Sequence, residues 1–423
     1  MPEGGAMERG GAPVSGGRRA LLLENIHPDA VSVLTAAGLS VETAKRAFTE
    51  AELCERLAGV DVVGIRSQTQ LTDLVLESAP DLLAVGAFCI GTNQIDLASA
   101  TRRGVAVFNA PFSNTRSVVE LAIAEMISLT RRLTDKSNAM HAGVWDKSAA
   151  GSHEIRGRRL GIVGYGNIGS QLSVVAESLG MRVRFFDTAD KLALGNAHPC
   201  GTLHELLETV DIVTLHVDGR PTNRQLFGDE ELSRMRPGSL FLNLSRGFVV
   251  DHGALRSHLE SGHLAGAAVD VFPQEPASSA DPFVSELRGL PNVILTPHVG
   301  GSTEEAQQDI GNFVARKLGR YLSEGSTMLS VNLPGVDAHE PPGGCRLLYV
   351  HRNVPGVLAE VNARIAGYGL NVEGELLGTR GEIGYAIIDL ACGLPGELLA
   401  GLHALDATVR LRVVQPGSTA MPA

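Results

Sequence analysis

Gly164-Tyr165-Gly166-Asn167-Ile168-Gly169 constrains this chain more than any other segment, because of what surrounds it. The apolar run 160–163 precedes it, a helical segment 168–179 follows, and a second strand-like run, 182–186, ends at Asp187. A bare GxGxxG arises readily in a chain with 49 glycines. Strand, glycine turn, helix and strand-terminal acid in that order read as a dinucleotide site. Without Cβ atoms the backbone turns tightly and approaches a pyrophosphate, whose charge meets the free N–H groups opening the helix at Ile168. Asp187 accepts ribose hydroxyls and repels a 2′-phosphate, which favours NAD over NADP, with Lys191 near enough to temper that preference. The competing reading is a structural turn in some other α/β protein.

The chain is long enough, at 423 residues, for two or three domains, and its 44% hydrophobic and 20% charged residues are ordinary for a globular protein. A net charge of −11 sets it against nucleic acid and anionic membranes, so an anionic substrate needs a local basic pocket. No apolar run is long enough to span a bilayer, and the glycine-rich start, 1–19, lacks the apolar core of a signal peptide, so a cytoplasmic protein is expected. Cys54, Cys89, Cys200, Cys345 and Cys392 are scattered and without a CxxC pair, as in a reducing compartment. His198, Cys200 and His204 offer at most three ligands in one stretch with no second cluster, so no metal site is expected.

Strand-like runs at 19–24, 60–66 and 82–88, with a helix at 27–38, imply a parallel sheet covered by helices. Asn109-Ala110-Pro111 breaks the pattern. A long amphipathic stretch, 117–142, then begins a second unit whose buried strands continue at 212–216, 240–243, 267–272 and 293–296. Thr296-Pro297-His298 is the next break, followed by a helix from 303 to about 322 expected to pack back on the first unit. The two crossings are natural hinge positions for a cleft that closes on substrate. The stretch 332–344, rich in proline and glycine, reads as a linker, and beyond it the order βαββαβ fits a small ferredoxin-like domain.

Arg246, Glu275 and His298 lie on turns after expected strands of the second unit, where open α/β sheets place ligands. Oxidising an alcohol by hydride transfer needs a base for the hydroxyl proton, and histidine titrates near working pH. A carboxylate on the other ring nitrogen orients the imidazole, and a guanidinium holds a substrate carboxylate bidentately. Ser245-Arg246-Gly247, Asp270-Val271-Phe272-Pro273-Gln274-Glu275-Pro276 and Thr296-Pro297-His298-Val299-Gly300-Gly301 together resemble the D-2-hydroxyacid dehydrogenase family. Gly64-Ile65-Arg66-Ser67, Phe88-Cys89-Ile90-Gly91-Thr92-Asn93-Gln94, Leu194-Gly195-Asn196 and His351-Arg352-Asn353-Val354-Pro355-Gly356 narrow the resemblance to the family's phosphoglycerate-oxidising members, over about residues 19–415.

That resemblance implies NAD-dependent oxidation of 3-phosphoglycerate, with Arg246 binding substrate, His298 as acid/base and Glu275 as its partner. It also implies a cofactor lined by Gly164, Gly166, Asn167, Ile168, Gly169, Asp187, Leu244, Ser245, Arg246, Asp270, His298, Val299, Gly300 and Gly301. Arg66, Ser67, Asn114 and Gln307 would meet the substrate, with Lys45 and Lys147 as cationic help from a neighbouring subunit, and Trp145 near the subunit interface. The implied fold is α/β: two Rossmann-like doubly wound parallel-sheet domains and a C-terminal ferredoxin-like ACT domain. A tail at 1–18, a substrate-binding domain at 19–112 and 301–334, an NAD-binding domain at 113–300, a linker at 335–344 and the ACT domain at 345–417 follow. The resemblance further implies a homotetramer inhibited by L-serine at His351, Asn353 and Asn371. Arg352 and Val354 depart from the commoner acidic and basic neighbours, which leaves the strength of inhibition open. Two alternatives stand beside this reading: another 2-hydroxyacid dehydrogenase or 2-oxoacid reductase (glyoxylate, hydroxypyruvate or 2-oxoglutarate), and an NAD-sensing corepressor.

Overall fold

The computed structural model describes residues 17–276, 281–339, 344–391 and 393–414, so most of the N-terminal tail and Cys392 lie outside the described residues. The backbone forms two compact units, Met1–Pro111 with Gln308–Ala423, and Phe112–Gln307. No helix among the described residues is long and apolar enough to cross a membrane.

The second unit is built on seven parallel strands. Arg159–Val163 lies inside the sheet; the chain steps outward through Arg182–Phe186 to His198–Pro199, then returns to the other side of Arg159–Val163 with Ile212–Leu215, Ser239–Asn243, Leu264–Val269 and Val293–Leu295. The strand order therefore reverses beside Arg159–Val163, and the glycine turn leaves that strand at the switch point where doubly wound sheets bind ligands. Ile212–Leu215 and Ser239–Asn243 are buried throughout, as continuous apolar runs covered on both faces must be.

Helix Thr115–Arg131 lays Val118, Val119, Ala122, Met126 and Leu129 in the core containing Leu240, Leu242 and Ala268 of the sheet. The stretch 117–142, expected to run on, is two helices. Arg132 takes a left-handed conformation (φ 52°, ψ 41°) that ends the first, and Leu133–His141, the second, buries no residue. Asp135 binds the Arg132 guanidinium at 2.8 and 3.0 Å, which holds the break.

In the first unit five parallel strands run in the order Ser40–Thr43, Arg19–Leu22, Val62–Ile65, Ala84–Ala87, Ala106–Asn109. Helix Glu304–Glu324 enters this unit's core with Ile310, Val314, Leu318, Tyr321 and Leu322. Gly86 permits the contact, since a Cβ there would sit 2.8 Å from Leu318 and 2.9 Å from Val314. The segment from Asn332 to Ala338, read from sequence as the start of a linker, is irregular yet packed. Leu333, Val336 and Ala338 are core residues, and Asn332 accepts from Val107 N–H and donates to the Val105 carbonyl.

The C-terminal strands and helices run Cys345–Arg352, Val357–Gly367, Val372–Arg380, Ile383–Leu390, Gly396–His403, Thr408–Val414, the βαββαβ order of a ferredoxin-like domain. Its antiparallel sheet is buried on both faces along Cys345–Arg352 and Ile383–Leu390, while the edge strand Val372–Arg380 is largely exposed. Leu347, Tyr349, Ala386 and Ile388 meet the helices through Val361, Ile365, Leu398 and Leu402, while Leu348, Val350, Tyr385 and Ile387 join the core of Leu318, Tyr321 and Val336. Polar anchors complete the second contact: Tyr385 donates to the Gly325 carbonyl at 2.6 Å, and Arg412 to the Tyr321 and Leu322 carbonyls. Arg346, 4% exposed at its side chain, pairs with both oxygens of Asp389 and donates to the Glu324 and His339 carbonyls.

Removing one partner of such a buried pair strands the other, at a cost of about 3–5 kcal/mol. Arg346→Ala is therefore expected to lower the urea midpoint of the C-terminal sheet, followed by amide exchange of its strands. An unchanged midpoint would show that the pair carries no stability.

Candidate active site

The glycine turn has the shape that a pyrophosphate requires. Gly164 sits at φ 92°, and a Cβ on it would lie 2.6 Å from the His216 carbonyl oxygen. At Gly169 a Cβ would meet the Gly164 oxygen at 2.3 Å, whereas Gly166 faces open space. No side chain caps the helix Asn167–Ser178, so its first N–H groups stay available for an anion. Asp187 accepts from Tyr165 N–H at 2.8 Å and Ala189 N–H at 2.9 Å, one bond to each oxygen. Each oxygen keeps lone-pair capacity for a ribose hydroxyl. The residues present therefore fit NAD: glycines 164, 166 and 169 with Asn167 and Ile168 for the pyrophosphate, and Asp187 for the ribose.

The three catalytic candidates come together in this same unit. His298 Nδ1 and Glu275 Oε2 are 2.9 Å apart, and the other Glu275 oxygen accepts from Phe272 N–H at 3.1 Å. The hydrogen bond to Glu275 holds the His298 imidazole above the usual histidine range against burial, with the Glu275 and Asp270 charges adding and Arg246 opposing. Burial pushes Glu275 up, but the His298 hydrogen bond and charge, the Phe272 N–H and Arg246 outweigh it and leave the carboxyl below its ordinary value. Each supports the charged form of the other.

Two features that motif reading missed position these groups. Gly247 is the first: a Cβ there would lie 1.9 Å from the Phe272 carbonyl carbon, so the loop after Arg246 lies against the backbone leading to Glu275. Asn243 ties the same turn by accepting from Ser245 N–H and hydroxyl and donating to the Arg246 carbonyl, beside buried Leu244 and Ser245. The second is the role of Asp270. Its Oδ1 accepts from Thr296 Oγ1 at 2.6 Å and Val299 N–H at 2.8 Å, and its Oδ2 from Gly300 N–H at 2.8 Å. This buried carboxylate fastens the turn on which His298 stands with φ 54°, an uncommon conformation for a residue with a side chain.

Asn114 and Gln307 meet at the same turn's far end. Gly301 leaves no room for a Cβ, which would sit 2.2 Å from Asn114 Nδ2, and Gln307 donates to the Gly301 carbonyl at 3.2 Å. Asn114 Oδ1 is buried without a partner. In the first unit, Arg66 and Ser67 stand on a loop that Glu24 organises by accepting from the N–H groups of Arg66, Gln68 and Thr69 at 2.9–3.1 Å. Gln94 donates to the Arg66 carbonyl at 2.6 Å. The backbone is thus fixed, and among the described residues the Arg66 guanidinium has no ion-pair partner. Lys45 and Lys147 are exposed, and Trp145 is 72% exposed in a surface with Leu133, Met140 and Val144.

The regulatory candidates do not meet within one chain. His351 is buried against Tyr349, donates from Nδ1 to the Arg352 carbonyl at 2.8 Å and leaves Nε2 without a partner. Asn353 donates to the Gly381 carbonyl nearby. Asn371 lies at the other end of the sheet, because His351 pairs with Gly384, and Gly384 with Thr379. Eight residues of strand from Thr379 back to Asn371 span about 25 Å.

A family profile described as D-isomer specific 2-hydroxyacid dehydrogenase, NAD binding domain, matches residues 123–300. The chain is 48% identical over 395 residues to the D-3-phosphoglycerate dehydrogenase of Haemophilus influenzae, covering 93% of this chain and 96% of the relative. It is also 48% identical over 397 residues to that of Escherichia coli K12, covering 93% and 97%. Among solved structures, an NADPH-dependent glyoxylate/hydroxypyruvate reductase of Sinorhizobium meliloti superposes with a TM-score of 0.64 at 26% identity, over 75% of this chain and 97% of that one. The chain belongs to the D-isomer specific 2-hydroxyacid dehydrogenase family, with the D-3-phosphoglycerate dehydrogenases as its near relatives.

Proposed function

We propose that this protein oxidises 3-phosphoglycerate to 3-phosphohydroxypyruvate with NAD, the first step of L-serine biosynthesis, as a cytoplasmic homotetramer inhibited by L-serine. The observation that carries the reaction is the 2.9 Å His298–Glu275 pair beside Arg246, in the unit that holds the glycine cradle. NAD, when bound, accepts the hydride that leaves C2. His298 Nε2 takes the C2 hydroxyl proton, and the resulting imidazolium is stabilised through Nδ1 by Glu275. Arg246 holds the substrate carboxylate and polarises the C2 oxygen as the carbonyl forms. Arg66, with Ser67, reads the phosphate, which suits a guanidinium without an ion pair in a protein of net charge −11.

Two further parts of the reading rest on surfaces. The exposed apolar set Leu133, Met140, Val144 and Trp145 supports subunit contact. Asn371's distance from His351 and Asn353 supports a serine site made by two C-terminal domains, with the orphaned His351 Nε2 as one acceptor.

A panel of 2-hydroxyacids followed by NADH absorbance tests the reaction. Turnover of 3-phosphoglycerate with little turnover of glycerate is expected, and the reverse would favour a general reductase. His298→Ala should lose ~10²–10⁴ in rate while still binding NADH, and full turnover would reject the assignment. Oxidation needs neutral His298, so the rate should climb with pH through a midpoint above the usual histidine value. Glu275→Gln removes the charge that raises it, so the acid limb should move to lower pH; an unmoved limb would break the pairing.

Arg66→Ala should weaken 3-phosphoglycerate by ~10-fold or more in kcat/KM, as loss of a charge-assisted contact does, and spare unphosphorylated 2-hydroxyacids. Equal losses on both would remove Arg66 from phosphate recognition.

For the serine site, Asn353→Ala and Asn371→Ala oligomers should each resist serine. Co-expressing the two variants restores one intact site per pair of C-terminal domains, so serine sensitivity should partly return. Mixed oligomers as resistant as either parent variant would exclude a site shared between chains.

A further inference from the structure

Helix Thr115–Arg131 buries Val118, Val119, Ala122, Glu125, Met126, Leu129 and Thr130; five are apolar, as a helix facing a sheet core requires, and Thr130 donates its hydroxyl to the Met126 carbonyl. Glu125 is the exception. It is 3% exposed, and neither carboxyl oxygen has a hydrogen-bond partner among the described residues. A residue that only filled this position would be apolar, since an ionised carboxylate here is neither solvated nor paired. The group whose charge reaches it is Asp270, the carboxylate that fastens the turn bearing His298.

We propose that Glu125 is a positioning residue for His298: held neutral in the core, it leaves Asp270 as the single negative charge beneath the Thr296–Gly301 turn, and its ionisation loosens that turn. The inference rests on His298 as the acid/base of the proposed reaction. The helix that carries Glu125 packs against the turn two helical turns earlier, at Val118: a Cβ on Gly300 would lie 2.9 Å from Asp270 Oδ2 and 3.5 Å from Val118. His298 in turn feels the Asp270 charge. A second negative charge beside Asp270 repels the carboxylate that accepts from the three donors holding a φ 54° histidine in place, and so works against that arrangement.

No other charge intervenes among the described residues. Helix Asn167–Ser178 contributes Glu177, which is engaged with Asn196 N–H, and helix Leu133–His141 contributes Asp135, Lys136 and His141, of which Asp135 binds Arg132 and Lys136 binds Asp146. The strands Ser239–Asn243, Leu264–Val269 and Val293–Leu295 packed beneath carry no ionisable side chain. Burial, and then the Asp270 charge, push the Glu125 carboxyl up to about 8. Its effect has the opposite sign to the His298 limb, since ionising Glu125 lowers the rate as pH rises whereas deprotonating His298 raises it.

Around a midpoint of about 8, the neutral fraction of Glu125 falls roughly tenfold between pH 7 and pH 9. The test compares kcat with 3-phosphoglycerate across that range for the parent, E125Q and E125M, with NADH affinity measured alongside. The parent should lose up to about tenfold in kcat toward pH 9. Both variants should flatten that loss, because neither ionises, while the acid limb set by His298 stays in place. Infrared difference spectra of the parent should show a protonated-carboxyl band titrating out near the same midpoint and missing from E125Q. This readout needs no turnover, so it separates failure of the inference from failure of the proposed reaction. An alkaline profile identical in parent and both variants, or no titrating carboxyl band, would overturn the assignment. If E125Q does not fold, E125M decides, since it removes no hydrogen bond that Glu125 makes.

Discussion

Asp270 is the constraint on which the site depends. Histidine placed by its own strand would not stand at φ 54°, because the left-handed region crowds a Cβ against the following carbonyl. Three hydrogen bonds of 2.6–2.8 Å to one buried carboxylate hold the turn that imposes it. The fold supplies the carboxylate: Asp270 follows the strand Leu264–Val269, which pairs with Val293–Leu295, so acceptor and donors leave neighbouring strands together. Gly247 closes the arrangement from a third strand by letting two backbones touch.

The first unit uses the same device with Glu24. A carboxylate that is 8% exposed accepts three backbone N–H groups and thereby shapes a loop that carries the candidates Arg66 and Ser67, the guanidinium having no ion pair among the described residues. In each unit one buried acid, Glu24 or Asp270, spends its acceptor capacity on a turn, and the turn it builds presents a basic group. That division explains how a chain of net charge −11 can receive an anion: much of the acidity lies elsewhere, at exposed pairs such as Arg116–Glu120 and Arg256–Glu260.

The apolar pattern made most strands and the glycine turn legible, and Arg182–Phe186 and Thr408–Val414 have the bounds that it gives. Others escaped: Ser40–Thr43 is an edge strand with mostly exposed side chains, and Ala106–Asn109 runs straight into the Asn109-Ala110-Pro111 break. The helix break at Arg132 escaped because arginine carries no turn signal and the left-handed residue is fixed by Asp135, a local ion pair. At the site, Arg246, Glu275 and His298 stood out as residue types on turns, whereas Glu24, Asn243 and Gly247 act through backbone contacts that no spacing announces. Glu125 was hidden in plain helical pattern. Only the burial of its whole stripe marks its charge as out of place.

The C-terminal sheet carries the same lesson in its alternation. Leu347, Tyr349 and Ile388 face the helices, and Leu348, Val350, Tyr385 and Ile387 face the core shared with Tyr321 and Val336, so every second residue on both sides is apolar. A sheet that is apolar on both faces cannot stand free in water with helices on one side only. The stretch from Asn332 to Ala338 follows from this. A chain segment entering between two apolar layers has to satisfy its own backbone there, which is what Thr327 and Ser330 do for it, Thr327 by accepting from Val336 N–H and donating to the Pro334 carbonyl, Ser330 by accepting from Leu333 N–H. Prolines and glycines set its irregular path, and composition alone therefore resembles a linker where packing makes it part of the core.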